Sequence, residues 1–263
     1  MAVWLKRLKR YYNWYFDGRK YANNLSNEKL PFQIKKHKSV LLKKLGESDM
    51  QLQVNKVTNL KIAIKNIDGI LIKPGETFSF CKLVGLQTKR KGYLNGMELS
   101  FGEVKSSIGG GICQISNMIN WLIMHSPLTV TEIYPHSYDP FPDDERVLPF
   151  GSGATVFYNY HDYQFTNKTD YTFQINLWLT EKYLEGELRI NKELDFEYCV
   201  IEKEHQFLKI DGLFFRKNEI WREKILKTES GKIISTELLT KNFARVTYSP
   251  ESFIEYNGEN QRN

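Results

Sequence analysis

Residues 106–117 read Ser106-Ser107-Ile108-Gly109-Gly110-Gly111-Ile112-Cys113-Gln114-Ile115-Ser116-Asn117. Three glycines end where a helical apolar pattern begins, with Ile112, Ile115, Ile119, Leu122 and Ile123 recurring at a period near 3.6. This predicts a Gly-rich loop running into a helix, with Cys113 in its first turn. The core claims the isoleucine stripe, which leaves Cys113, Asn117 and Asn120 on an adjoining polar face, about one turn apart.

Upstream, Val57, Leu60, Ile64 and Ile67 predict an amphipathic helix stopped at Asp68-Gly69. Ile70–Ile72 and Thr77–Phe80 read as short strands about a Pro74-Gly75 turn. Glycines 85, 92, 96 and 102 punctuate further short strands up to Lys105. The basic stretch from Ile34 to Leu45 reads as a helical connector. Beyond residue 128 alternation with period two dominates, at Thr129–Tyr134, Ala154–Tyr160, Tyr171–Leu179, Leu184–Ile190 and on to Thr247. The expected fold is α+β: N-terminal helices, the Gly-rich loop and central helix on a mostly antiparallel β-sheet, then a β-rich C-terminal part. Its expected divisions are a basic, aromatic, helical segment (1–54), a core domain (55–190) and a β-rich extension (191–263).

The chain has 263 residues, 41% hydrophobic and 14% aromatic, with formal net charge +6. That composition is globular and large enough to bury a core. The basic excess brings no nucleic-acid-binding signature, and 31 acidic residues interleave with 37 basic ones. Nucleic acid is therefore not an expected partner. Three widely spaced cysteines (Cys81, Cys113, Cys199) support neither a disulfide framework nor a structural zinc site. No metal or cofactor is expected. No apolar run is long enough for a membrane span, and Lys6, Arg7, Lys9 and Arg10 break up any signal peptide. The expected location is the cytoplasm. Residues 1–16 form a helical pattern with Trp4, Leu8, Tyr11 and Tyr15 as a stripe. Docking of that stripe on the body of the protein is the first reading. Contact with an anionic membrane at its inner face is the second.

Only the 106–117 stretch carries chemistry. A helix start and a glycine nest predict a thiol of depressed pKa, with backbone amides of Gly109, Gly110 and Gly111 as an oxyanion hole. His136, following the 129–134 strand, is the candidate base, and Asp139, Asp143 or Asp162 could orient it. Cys81 and Cys199 read as packed, inert thiols, so Cys113 should alkylate first. A structural reading stands beside this one: glycines for close packing, and Cys113 as a small buried hydrophobe.

Pro74-Gly75-Glu76-Thr77-Phe78-Ser79-Phe80, Gly92-Tyr93 and Gly109 to Asn117 together resemble the VanW family. His136, Ala154-Thr155-Val156, Asp162 and Asn167-Lys168-Thr169 follow in order, so the resemblance spans roughly residues 20–190. It implies an accessory role in glycopeptide (vancomycin) resistance, whose enzymes replace the terminal D-alanyl-D-alanine of cell-wall precursors. Precursor peptide or a resistance enzyme is then the implied partner. A Cys113–His136–Asp162 acyl or peptidyl transferase or hydrolase is one expectation. A non-catalytic module binding through Gly109, Gly110, Gly111, Gln114 and Asn117 is the other. Many members carry an Asp just before Ala-Thr, where this chain has Gly153.

Overall fold

The computed structural model describes residues 3–42, 50–100, 103–140, 147–228 and 231–250. The chain opens with α1 (Val3–Phe16) and strands β1 (Lys20–Tyr21), β2 (Asn24–Leu25) and β3 (Phe32–Val40). Next come α2 (Met50–Ile64), β4 (Ile70–Ile72), β5 (Glu76–Ser79) and the short α3 (Phe80–Val84). A hairpin of β6 (Asn95–Ser100) and β7 (Glu103–Ile108) feeds the glycine run and α4 (Cys113–Met124). Beyond it lie β8 (Thr129–Glu132), β9 (Tyr138–Asp139), β10 (Gln164–Thr166), β11 (Phe173–Leu179) and β12 (Tyr183–Ile190). Three long strands follow, β13 (Phe196–Ile210), β14 (Leu213–Leu226) and β15 (Ile233–Val246).

These elements make an α+β fold whose sheets are antiparallel except for two-residue parallel pairings of β1 with β5 and β9 with β15. The strand orders are β1-β5-β10-β8, β2-β4-β11-β12-β3 and β13-β14-β15-β9. The main core lies where α2 and α4 meet the five-stranded sheet: Leu60, Ile115, Ile119, Leu122, Ile175 and Leu188 are fully buried in one cluster. Gly186 in β12 lets α4 approach, since a Cβ there would stand 3.0 Å from Met118 Cγ.

Three local expectations fail, the last being the short strands about Gly85 and Gly92, where α3 and a 3-10 turn at Lys89–Lys91 stand instead. The stretch from Ile34 is not helical. Phe32–Val40 is the edge strand β3, paired antiparallel with β12, and the end of the expected helix lies outside the described residues. The strand hides from a periodicity reading because its inward row is polar: Lys35, His37 and Ser39 are half-buried, alternating with exposed Lys36, Lys38 and Val40. Lysines on an edge strand also discourage pairing with a further chain. The second failure is Ala154–Tyr160, which pairs only through an isolated Phe157–His161 bridge. Its alternation is nevertheless real and has another cause, described below.

Helix α1 lies the other way round from expectation. Trp4, Leu8, Tyr11 and Tyr15 are exposed, whereas Trp14 is buried and Lys6, Arg10 and Asn13 are half-buried against the body.

Candidate functional site

The glycine run is a crossing point between backbones. A Cβ on Gly110 would stand 2.2 Å from Gly96 O, and one on Gly96 would stand 2.3 Å from Gly110 O. Buried Asn59 fixes this crossing: its Nδ2 donates to Gly110 O at 2.9 Å and Leu94 O at 3.1 Å, and its Oδ1 accepts the Leu94 N–H at 2.8 Å. Gly111 (φ +91°) presses on the side chain of buried Lys56, where a Cβ would be 2.2 Å from Cγ. Gln53, Lys56 and Asn59 thus form a buried polar row along α2, spaced three apart. That spacing is visible in the sequence, on the face beside the apolar Val57, Leu60 and Ile64.

Helix α4 is held by an extended strap, residues 152–156. Asn120 Nδ2 donates to Ser152 O at 2.8 Å, and Asn117 Oδ1 accepts the Ala154 N–H at 2.7 Å. Ser116 Oγ donates to Ala154 O at 2.6 Å, and the Cys113 thiol points at Val156 O at 3.7 Å. A helical turn of about 5.4 Å roughly matches two residues of extended chain, about 6.7 Å, so each turn meets every second strap residue. Ser152, Ala154 and Val156 are therefore buried, while Gly153 and Thr155 turn to the other side. This is the alternation that reads as a strand, with side chains of α4 in place of a neighbouring strand.

That other side is a cleft of about 470 Å³. One wall is the loop Gly109–Gln114 with Lys56 and Glu98; the facing wall is His136, Tyr138–Pro140, Leu148–Gly153 and Thr155–Tyr158. His136 meets Thr155 through Nδ1···Oγ1 at 3.0 Å. Its ring lies beside Gly153, where a Cβ would be 3.1 Å from Nε2 and 3.0 Å from Asn117 Oδ1. A longer side chain at 153 would thus meet both residues. The C-terminal sheet holds this facing wall. Strand β9 pairs with β15, Asn218 Nδ2 donates to Phe150 O at 2.7 Å, and buried Arg216 pairs with Asp139 at 3.1 Å.

The structure therefore brings Cys113, His136, Gly109, Gly110, Gly111, Gln114 and Asn117 to one cleft. Asp162 does not join them. It lies outside the cleft lining, buried, and accepts from Ser79 Oγ (2.6 Å), Cys81 N (2.8 Å), Tyr163 N (2.9 Å) and Gln164 Nε2 (2.8 Å). The Cys81 bond meets the start of α3, where Ser79 is the N-cap, and the Tyr163 and Gln164 bonds tie the carboxylate to its own segment. Asp139 lines the cleft, with its carboxylate on Arg216. Asp143 lies outside the described residues.

The thiol also departs from expectation. Burial pushes the Cys113 pKa up, and the Glu98 charge adds to the rise. A helix dipole is worth about 0.3–1 kcal/mol to a nearby anion, whereas burying an unpaired charge costs several times that, so desolvation wins. Cys81 is buried and its pKa is also raised by burial, then by Asp162. Cys199, expected to be packed, is exposed.

The VanW-like protein family model matches residues 55–189, just over half of the chain. The vancomycin B-type resistance protein VanW of Enterococcus faecalis is 31% identical over 246 residues, 94% of this chain and 89% of that protein. The chain belongs to the VanW family. The uncharacterized protein YoaR of Bacillus subtilis is 33% identical over 111 residues, 42% of this chain and 35% of its own length. No solved structure matches. In this VanW-family chain the facing wall of the cleft depends on β14 and β15, which lie beyond the family match.

Proposed function

We propose that this protein serves glycopeptide resistance as a non-catalytic binding module, taking the D-alanyl end of a cell-wall precursor peptide in the Gly109–Gln114 cleft. The observation that carries the reading is Gln114. Its Nε2 donates to Ser39 Oγ and Val40 O, each at 2.9 Å, while its Oε1 is buried in the cleft wall with no hydrogen-bond partner among the described residues. An unsatisfied buried acceptor costs about 1–3 kcal/mol, which a turn of the Gln114 side chain toward a peptide N–H in the cleft would recover. The start of α4 supplies partial positive charge for a terminal carboxylate. Cleft size falls within the range of small-ligand sites.

Catalysis by Cys113 is the second reading, favoured by the presence of His136 in the same cleft. The raised thiol pKa and the commitment of Asp162 elsewhere count against it. The test is protection. A precursor peptide ending in D-Ala-D-Ala should slow alkylation of Cys113 in the folded protein and leave Cys199 unaffected. Equal Cys113 rates with and without peptide at millimolar concentration would overturn the proposal.

A further inference from the structure

Helix α1 turns a ladder of apolar residues to solvent and sets Lys6, Arg10 and Asn13 beside buried Trp14 against the protein, largely the reverse of an ordinary surface helix. Trp4 (61%), Tyr12 (62%), Tyr15 (70%), Phe16 (71%) and Leu8 are mostly exposed, and Leu5 and Tyr11 are partly so. At about 100° per residue these seven occupy a continuous arc of roughly 140°. Arg7 borders the arc on one side and Lys9 on the other, both exposed. The helix carries Lys6, Arg7, Lys9 and Arg10 and no acidic residue.

The body holds this orientation in place. Arg10 forms a two-pronged ion pair with Glu132; burial opposes the guanidinium charge, but Glu132 more than restores it. Trp14 is buried, its carbonyl accepts from Lys82 Nζ at 3.3 Å, and Asn159 Nδ2 donates to Arg7 O at 3.4 Å. The aromatic face is therefore presented by a fixed helix. Beside it lies a recess of about 280 Å³ lined by Lys6, Lys9, Arg10 and Tyr160, whose one carboxylate, Glu132, is engaged by Arg10.

We propose that α1 is a membrane-interface helix, laying its aromatic face into an anionic lipid bilayer while Arg7, Lys9 and the Lys6 recess meet lipid phosphates. Trp and Tyr suit the headgroup level, where an apolar ring and a polar tip are both satisfied. Basic residues at both borders of the arc are placed to reach the headgroups. The same borders argue against a second copy of the chain as the occupant, since an isologous contact through this face would bring cationic flanks together. Among the described residues no helix is long and apolar enough to cross a membrane, so the contact is peripheral.

The test is co-sedimentation of the full chain with vesicles of equal parts phosphatidylglycerol and phosphatidylcholine, against pure phosphatidylcholine. The account expects partition to the anionic vesicles that weakens with salt. A combined Trp4→Ser, Tyr12→Ser, Tyr15→Ser variant should lose at least about tenfold in partition while keeping its thermal midpoint, because all three side chains are exposed. Arg7→Gln or Lys9→Gln should each cost about fivefold, the equivalent of one headgroup contact. Absence of partition to anionic vesicles would overturn the proposal. So would partition that ignores the aromatic substitutions, or lipid-free dimerisation abolished by them.

Discussion

Asn117 Oδ1 accepts the N–H of Ala154 at 2.7 Å, tying the polar face of α4 to the extended strap behind the cleft. Asn117, expected to bind a ligand, and its neighbours Ser116 and Asn120 are thereby engaged by backbone groups of the protein itself. Asn117→Ala should cost about 1–3 kcal/mol by leaving the Ala154 donor without its acceptor. Asn117→Asp keeps the acceptor and should cost less. Urea denaturation of both variants checks the order.

The glycine crossing predicts a contrast between two identical substitutions. Gly110→Ala drives a Cβ into the carbonyl of Gly96, backbone against backbone, and should cost at least about 3 kcal/mol. Gly212→Ala meets nothing within 4 Å and suffers only its positive φ of 77°, a penalty of about 1 kcal/mol. Thermal midpoints should separate the two clearly.

Much of this architecture is legible in the sequence because it rests on periodicity. The isoleucines of α4 and the alternation of β11 and β12 announce themselves. What escapes are elements whose neighbours are not apolar. Strand β3 faces α4 with Lys35, His37 and Ser39, so no hydrophobic alternation marks it. The 152–156 strap alternates like a strand, yet its partners are helix side chains, which no local pattern reveals. Cys113 and His136 could be singled out by residue type. Whether the thiol would be ionised depended on how deeply the strap and Glu98 enclose it, a tertiary property.

Thiol chemistry offers a direct check. Cys199 is exposed, Cys113 half-buried and Cys81 buried, so alkylation should proceed in that order. Because burial raises the Cys113 pKa, its rate should keep climbing with pH beyond the ordinary thiol value of about 8.5. Peptide mass mapping of a timed reaction with iodoacetamide would show the order. A bend below the ordinary value would restore the nucleophile reading.

His125 predicts an acid sensitivity. Burial, then Lys35, His37 and Arg222, lower its pKa to about 4, against a single raising bond to Trp121 O. Between the ordinary value near 6.5 and about 4, the unfolded chain binds a proton that the folded one refuses. Stability present at neutral pH is therefore lost on acidification through that window, by up to about 2–3 kcal/mol. His125→Gln should flatten the dependence of thermal midpoint on pH between 7 and 5. An unchanged slope would place the acid sensitivity elsewhere.

The central claim is that the cleft binds and does not react. Calorimetric titration of the wild type and of Cys113→Ser with diacetyl-L-Lys-D-Ala-D-Ala tests it, with recovery of the peptide afterwards by mass spectrometry. Saturable binding of similar affinity to both proteins, and an intact peptide, are the expected results. Binding to neither protein, or a cleaved or transferred D-alanine produced by the wild type alone, would contradict it.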